Sequence, residues 1–171
     1  MKQAIVAAIL AGFVFLQSCK KDVDPVCTKE VSADDIAKVD KDKLAEDIVK
    51  IDAYLASKAI TAQSEPNGVR YVINTQGSGS TISCFEGKIK VKYKGSLLVG
   101  GNQFDANSTG VTFSLSGLIL GWKLVLPKIP TGSKVTLYIP SGFGYGPFVV
   151  ADGKIPANSN LIFEIEFLEI L

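Results

Sequence analysis

Residues 88–97 read Lys-Ile-Lys-Val-Lys-Tyr-Lys-Gly-Ser-Leu, with a lysine at every second position up to residue 94. Ile89, Val91 and Tyr93 alternate with these lysines, and a period of two is the spacing of a β-strand with one buried and one solvated face. The lysine row is a weak nucleic-acid signal, because 18 basic and 17 acidic residues leave the chain with a formal charge of +1. We therefore expect a solvated sheet face here and no nucleic-acid partner.

The same alternation recurs on both sides of this stretch. Upstream, Val69–Ile73 forms a short run of strand character after the turn signal Pro66-Asn67-Gly68. Downstream, alternating apolar positions follow at Val135, Leu137 and Ile139, and again at Leu161, Phe163, Ile165 and Phe167. Only one short helical segment fits between them, around residues 117–126. Residues 69–171 are therefore predicted to form an antiparallel sheet with one short helix, an α+β arrangement.

The turn at residues 66–68 separates two regions of different charge density. Residues 19–64 carry 8 basic and 10 acidic side chains, whereas the much longer region 65–171 carries 9 basic and 7 acidic ones. We therefore predict an N-terminal helical segment over residues 32–64 and a folded domain over residues 65–171.

The N-terminal segment has the pattern of an amphipathic helix. Apolar side chains recur at helical spacing, at Ile36, Val39, Leu44, Ile48, Ile51 and Leu55. Charged side chains occupy the other faces, at Lys38, Asp40, Asp42, Glu46, Asp47 and Lys50. Ser32 followed by Asp35 is typical of a helix start, and a break is predicted near residues 39–41. The apolar stripe either packs on its own domain or serves as a dimerisation arm or partner-binding helix.

The first residues have the character of an export signal. Lys2 precedes 13 uncharged residues, Ala4–Leu16, which is too short for a membrane span of about 20 residues but suits a signal peptide. Leu16-Gln17-Ser18-Cys19 resembles a bacterial lipobox, which predicts a signal peptide over 1–18, lipidation of Cys19 and a tether over 19–31. The protein would then be anchored in the bacterial cell envelope, with the outer membrane favoured. The alternative is an ordinary secretory signal with a chance cysteine.

Two further features of composition limit the chemistry. The chain has no histidine, which excludes Ser-His-Asp and Cys-His catalysis and removes the commonest metal ligand. We expect neither a metal nor a cofactor. Beyond Cys19 the chain has Cys27 and Cys84, which form either one disulfide outside the inner membrane or two unrelated thiols.

What remains is a set of aromatic residues placed beside glycines and prolines: Tyr93, Phe104, Phe113, Trp122, Tyr145 and Phe163. Any one of them alone would be interpreted as a core residue. Two contexts differ, because Phe104 is followed by Asp105, and because Tyr145 lies between two glycines, where a core residue is less expected. These two positions are the polar candidates for a site.

Six segments, in order and at matching spacing over about residues 69–171, carry a resemblance to a known family. They are Val91–Leu97, Gly101–Asp105, Ile119–Trp122, the series Gly132, Ile139-Pro140 and Gly144-Tyr145-Gly146, then Ile155–Asn158, and Leu161–Glu166. Together they resemble the FKBP-type peptidyl-prolyl cis-trans isomerases, the macrolide-binding immunophilins.

The resemblance implies a five-stranded antiparallel half-barrel wrapped around a short helix, with a shallow apolar cup between them. Trp122 would be the floor of the cup, and its walls would be Tyr93, Phe104, Ile119, Ile155 and Phe163. The catalytic polar groups would be Asp105 and the Tyr145 hydroxyl, and the Ile119 N–H would meet a substrate carbonyl. The implied activity is isomerisation of Xaa-Pro bonds in proline-containing polypeptides, assisting the folding of envelope proteins, with macrolides as inhibitors.

Three departures from the family pattern support a second hypothesis. Val111 stands where the family usually has a wall aromatic, Pro127 should shorten the helix, and the loop 147–153 is apolar and one residue longer than in minimal members. These features favour an FKBP-fold peptide-binding module or chaperone with little or no turnover.

Overall fold

A computed structural model describes residues 30–171 of the chain. The predicted signal peptide, the lipidation site at Cys19 and all but the end of the tether lie outside the described residues. The helices are α1 (Ala33–Ala37), α2 (Lys41–Ser57) and α3 (Leu120–Val125). The strands are β1 (Gln63–Ser64), β2 (Arg70–Thr75), β3 (Lys88–Leu97), β4 (Gln103–Ser114), β5 (Lys134–Ile139) and β6 (Leu161–Ile170), and short 3-10 turns occur at Leu115–Gly117, Leu126–Lys128 and Ser141–Phe143.

The strands form one open antiparallel sheet in the order β1-β2-β5-β6-β3-β4. The α+β class and the antiparallel sheet are thereby confirmed, with six strands rather than the five expected. The additional strand is β1, which pairs Gln63 with Tyr71 and Ser64 with Arg70. Two residues are too few to show alternation, so the sequence pattern could not reveal it. The turn at 66–68 therefore joins two strands of the sheet, and Gly68 takes the positive φ of +97° that the turn requires.

Strand β3 lies between β4 and β6 and has the two faces that the lysine alternation predicts. Ile89 and Val91 are buried, while Lys94 is exposed and lies 2.6 Å from a carboxylate oxygen of Glu164 on β6. Lys92 and Glu166 make a longer pair at 3.7 Å. The outer face is therefore a solvated row of cross-strand ion pairs, which contribute little to stability individually.

Helix α3 covers one face of the sheet and is short for the reason the sequence suggests. It ends at Val125, and Pro127 lies in the 3-10 turn that follows, at a position where its missing N–H costs no helical hydrogen bond. Gly121 allows α3 to approach β5 closely, since a Cβ there would lie 2.6 Å from Ile139 Cγ2.

The N-terminal segment forms two helices that break where expected. Ser32 Oγ accepts a hydrogen bond from Asp35 N at 3.1 Å and caps α1, and the Asp40 carboxylate caps α2. Ile51 and Leu55 of α2 are buried in a cluster with Leu98, Tyr138 and Ile162 of the sheet. The apolar stripe therefore packs on its own domain.

One residue of α2 contradicts the predicted charged face. Asp47, expected on a solvated side of the helix, has no exposed surface. The helix lies so close to the turn after β5 that this position faces the domain, where backbone and hydroxyl donors are available.

Cys84 is disulfide-bonded, which favours the first of the two alternatives for the thiols. The chain's other cysteines, Cys19 and Cys27, lie outside the described residues.

The replacement Gly95→Ala should destabilise the protein. Gly95 is buried in β3, and a Cβ there would lie 2.5 Å from Phe104 Cε2 and 2.8 Å from Phe163 Cε1. Overpacking of this kind typically costs about 1–3 kcal/mol. Gly117→Ala is the control, because its Cβ would meet no atom within 4 Å, and it should change stability by less than about 0.5 kcal/mol. Equal urea midpoints for the two variants would contradict the close packing at Gly95.

Candidate active site

Trp122 is the centre of an aromatic cluster beneath the concave side of the sheet. Its side chain is 3% exposed, and its ring meets those of Tyr93, Phe113 and Phe163 edge to face, with centroids 5.8, 6.4 and 5.2 Å away. Edge-to-face contacts are favourable because the positive ring edge meets the negative ring face. Its Nε1–H finds no hydrogen-bond partner among residues 30–171. The predicted floor residue is thus a packing centre contributed by α3.

The predicted wall residues come from neighbouring strands. Phe104 on β4 and Phe163 on β6 have ring centroids 5.5 Å apart at 77°, and Gly95 on β3 lies between their strands. Phe113, which the sequence analysis named among the aromatic residues without a role in the site, also touches Tyr93 and Trp122. Strict alternation along β4 would place Phe104 and Phe113 on opposite faces, so the sequence pattern could not have identified these contacts, which depend on register shifts in the pairing of β3 with β4.

Asp105 is held by a hydrogen bond that the sequence analysis did not foresee. Tyr93 Oη donates to Asp105 Oδ2 at 2.5 Å, and Asp105 Oδ1 accepts the Ala106 N–H at 2.9 Å. Tyr93 was predicted as an apolar wall, yet it also orients the carboxylate. Burial, and then the hydrogen bond to Asp105, raise the pKa of Tyr93 well above its ordinary value.

Tyr145 follows the 3-10 turn Ser141–Phe143, in which Phe143 is fully buried. The Tyr145 side chain is half-buried, and its hydroxyl makes no hydrogen bond to another described residue. Burial and the charge of Asp105 raise the pKa of Tyr145. The phenol therefore stays protonated at neutral pH and remains available to donate a hydrogen bond.

A cavity of about 320 Å³ lies where these groups converge. Phe104, Asp105, Tyr145 and Ile155 line it, together with Val150 and the loop residues Ala151, Asp152 and Lys154. This volume is near the lower end for small-ligand sites, about 300–1,000 Å³, and suits one small ring better than a large molecule. The structure thus brings four of the predicted site residues to one cavity and places Tyr93, Trp122 and Phe163 in the adjoining aromatic cluster.

The loop that follows Tyr145 lies beside this cavity and is closed by a short hairpin. Val150 and Ile155 form an isolated antiparallel bridge with N–H···O distances of 3.1 and 3.2 Å. Phe148 and Val149 at its tip are 68% and 63% exposed and do not line the cavity. Val150, which the sequence analysis did not select, does line it.

Ile119 stands apart from the other predicted residues. It is the N-cap residue of α3 and packs against the main core, but it does not line the 320 Å³ cavity. The Ile119 carbonyl accepts a hydrogen bond from Trp122 N, while the Ile119 N–H donates none within residues 30–171. An unpaired N–H is expected at the start of a helix. Val111 on β4 is half-buried against the same core.

A larger concavity of about 580 Å³ lies on the charged face of the sheet. Its lining includes Lys92, Lys94, Lys134, Glu164 and Glu166, whose charges pair with one another across the strands. These charges already satisfy one another, and Tyr93 is the one predicted site residue that lines this surface, whereas four line the smaller cavity, which is therefore the candidate.

Comparison with known proteins identifies the family of the chain. The family model described as FKBP-type peptidyl-prolyl cis-trans isomerase matches residues 85–168. The isomerase FkpA of Buchnera aphidicola is 34% identical over 145 residues, covering 83% of this chain and 56% of that protein. Outer membrane protein MIP of Legionella longbeachae is 30% identical over 165 residues, covering 94% of this chain and 69% of that protein.

A solved structure shows the same architecture. A peptidyl-prolyl cis-trans isomerase from Pseudomonas syringae superposes with a TM-score of 0.65 at 28% identity, covering 76% of this chain and 94% of that one. The protein described here belongs to the FKBP-type peptidyl-prolyl cis-trans isomerase family. It spans about half the length of the FkpA relatives that it matches.

The replacement Asp105→Asn should lower the pKa of both Tyr93 and Tyr145. Removing the carboxylate charge makes the phenolates less unfavourable, while burial, the largest cause of both shifts, is unchanged. Both values should therefore fall without returning to the ordinary tyrosine pKa of about 10. NMR titration of labelled tyrosine rings, assigned with Tyr145→Phe, measures this.

The same shifts predict how stability depends on pH. Because the folded pKa values are raised, the unfolded chain loses these tyrosine protons first as the pH passes about 10. The contribution of the two groups is complete below that pH and is lost above it. Tyr93→Phe should therefore flatten the alkaline decline in stability, and an unchanged decline would contradict the Tyr93–Asp105 assignment.

Proposed function

We propose that the protein catalyses cis-trans isomerisation of Xaa-Pro bonds in polypeptides. The observation that carries this proposal is the convergence of Phe104, Ile155, the Asp105 carboxylate and the Tyr145 hydroxyl, which has no partner among residues 30–171, on one open cavity. Aromatic and aliphatic walls suit a prolyl ring, and a single free donor suits a peptide carbonyl. Family membership supports the same activity.

The reaction requires no nucleophile, so the absence of histidine is no obstacle. Its barrier of about 18–20 kcal/mol reflects lost amide resonance, and the twisted transition state is less polar than the planar ground state. Transfer of the imide from water to an apolar cavity therefore raises the ground state relative to the transition state. A donor aimed at the carbonyl can hold the twisted geometry, and each factor of ten requires only about 1.4 kcal/mol.

In this proposal the site residues have distinct roles. Trp122 supports the floor, while Tyr93, Phe104, Ile155 and Phe163 form the apolar surroundings. Asp105, oriented by Tyr93, and the Tyr145 hydroxyl are the catalytic polar groups. The Ile119 N–H, unpaired within residues 30–171, is assigned to the carbonyl of an extended substrate.

A second candidate is a peptide-binding module or chaperone with little turnover. It is favoured by Phe148 and Val149, which expose an apolar tip directly after the Tyr145 turn. Such a tip can hold unfolded apolar segments without any twisting of a proline bond.

We further propose that the protein works in the bacterial cell envelope, assists the folding of envelope proteins and is anchored through a lipid on Cys19, with the outer membrane favoured. Support comes from the sequence of residues 1–19 and from the name of the Legionella longbeachae relative, outer membrane protein MIP. Among residues 30–171, no helix combines the length and hydropathy needed to cross a bilayer.

A macrolide inhibitor would place one ring in the same cavity as the prolyl ring and leave the rest of the molecule outside it. A homodimer through the N-terminal helix would have to use the outer face of α2, where Val49 is 68% exposed, because Ile51 and Leu55 are covered within the chain. Sedimentation of the purified protein distinguishes monomer from dimer.

The test of the activity is a proline-isomerisation assay on short Xaa-Pro peptides that compares three variants. Tyr145→Phe and Asp105→Asn should lower kcat/KM while shifting the melting temperature little, since Tyr145 Oη has no partner to lose among the described residues and an asparagine oxygen can still accept from Tyr93 Oη. Trp122→Ala should lower both kcat/KM and the melting temperature, because truncating a buried indole costs about 3–5 kcal/mol.

Wild-type rates equal to the uncatalysed rate for every Xaa would favour the binding module. Full turnover in both rim variants would overturn the residue roles.

The anchor is tested separately. Cys19→Ser should abolish incorporation of labelled fatty acid and release the protein from the membrane fraction, because the thiol is the acceptor for the lipid. Cys27→Ser is the matched control and should label normally. Fatty-acid labelling that survives Cys19→Ser would show that the lipobox interpretation is wrong.

A further inference from the structure

A fully buried carboxylate connects α2 to the turn that carries Tyr145. Asp47 Oδ2 accepts hydrogen bonds from the Ser141 N–H at 3.0 Å and from the Ser141 hydroxyl at 2.5 Å. Its Oδ1 pairs with Lys43, one helical turn earlier. A charge without exposure is costly unless it is paired and hydrogen-bonded, and this one is both.

Ser141 in turn holds the backbone on both sides of Tyr145. Its carbonyl accepts the Gly144 N–H at 3.0 Å and the Gly146 N–H at 2.8 Å. Its N–H also donates to Asn160 Oδ1 at 3.0 Å. The two peptide groups of Ser141 therefore link α2 and the start of β6 to the residues that flank the candidate catalytic hydroxyl.

The same turn makes a second, apolar contact with the N-terminal segment. A Cβ on Gly142 would lie 2.5 Å from Val39 Cγ1, in the break between α1 and α2. Glycine at this position therefore permits the segment to lie directly on the turn. Two adjacent residues of the turn, Ser141 and Gly142, are thus in contact with the N-terminal segment.

We infer that Asp47 is a positioning residue for Tyr145, so that the N-terminal helical segment completes the active site from outside residues 85–168, the part matched by the family model. Asp47 does not reach the cavity and acts through Ser141. The inference rests on the proposed isomerase activity for its kinetic consequence, but its structural part does not.

The simpler possibility is that Asp47 only fastens α2 to the domain. A fastening role predicts that any variant that weakens the docking of α2 equally will have the same effect on the site. Leu55→Ala is such a variant, because Leu55 is buried in the cluster with Tyr138 and Ile162, at the other end of α2. It lies away from the Ser141 turn and has no part in the proposed machinery.

The first measurement is amide hydrogen exchange in the full chain. Asp47→Ala should accelerate exchange at Gly144 and Gly146 relative to the strands, whereas Leu55→Ala should leave those two amides protected. This arm needs no substrate and stands even if the protein proves not to be an isomerase. Equal protection of Gly144 and Gly146 in both variants overturns the inference.

The second measurement is kcat/KM for an Xaa-Pro peptide well below the melting temperature of each variant. Asp47→Ala should lower it by about tenfold or more, since small misplacements of a catalytic group are costly. Asp47→Asn should stay within about twofold of wild type, because the amide oxygen can still accept both Ser141 hydrogen bonds. Leu55→Ala should also stay within that range. An Asn variant as impaired as the alanine variant contradicts positioning by hydrogen bond.

The kinetic effect should also depend on the Tyr145 hydroxyl. In a Tyr145→Phe background, Asp47→Ala should have little further effect, whereas independent, multiplicative losses would overturn the link between the two residues.

Where Asp47→Ala does not fold, Ser141→Ala replaces it, with Ser57→Ala at the exposed end of α2 as its control. Faster exchange at Gly146 only in the Ser141 variant supports the inference, and equal exchange in the two overturns it.

Discussion

The site depends on the contact of three neighbouring strands at one residue without a side chain. Gly95 on β3 is paired with Asp105 on β4 and with Phe163 on β6, and the absence of a Cβ leaves room for the rings of Phe104 and Phe163 to meet above it. These two rings lie at the side of the aromatic cluster around Trp122. Strand β3 therefore does two things: it brings Tyr93 to Trp122, and at Gly95 it leaves space for Phe104 and Phe163. Strand β3 thereby fixes the spacing of the candidate site before any polar group is considered.

On this apolar frame the polar groups are few and mutually dependent. Asp105 raises the pKa of both Tyr93 and Tyr145, so the same carboxylate that accepts a hydrogen bond from the Tyr93 hydroxyl helps to keep the Tyr145 phenol protonated. The proposed isomerisation breaks no covalent bond, so a neutral hydrogen-bond donor such as the Tyr145 hydroxyl beside apolar side chains is sufficient for it. In the proposed reaction, catalysis comes from the removal of water around the imide more than from any reactive side chain.

Much of this arrangement is contained in local sequence. The alternation of residues 88–94, the cap at Ser32, the break before α2 and the short α3 before Pro127 all follow from period, capping and proline chemistry, and each is confirmed. Strand β1 was missed because two residues carry no period. The hydrogen bond from Tyr93 to Asp105 was missed because it depends on cross-strand register. Asp47 was assigned to a charged helix face because its neighbours are charged, and only the tertiary position of Ser141 explains its burial.

The hydrogen bonds of Asp47 connect the N-terminal segment to the turn that precedes Tyr145. The family model matches residues 85–168, so α2 lies outside the match. The drop in charge density near residue 65 also separates α2 from the rest of the domain. The contacts cross that boundary: without the N-terminal segment, the Ser141 N–H would keep Asn160, but its hydroxyl would lose a buried acceptor and Gly142 would lose the packing of Val39. A donor that loses a buried acceptor must find water or another partner, so the turn would relax, and Tyr145 belongs to that turn. On this inference α2 is energetically part of the candidate site, although composition and family pattern both assign it elsewhere.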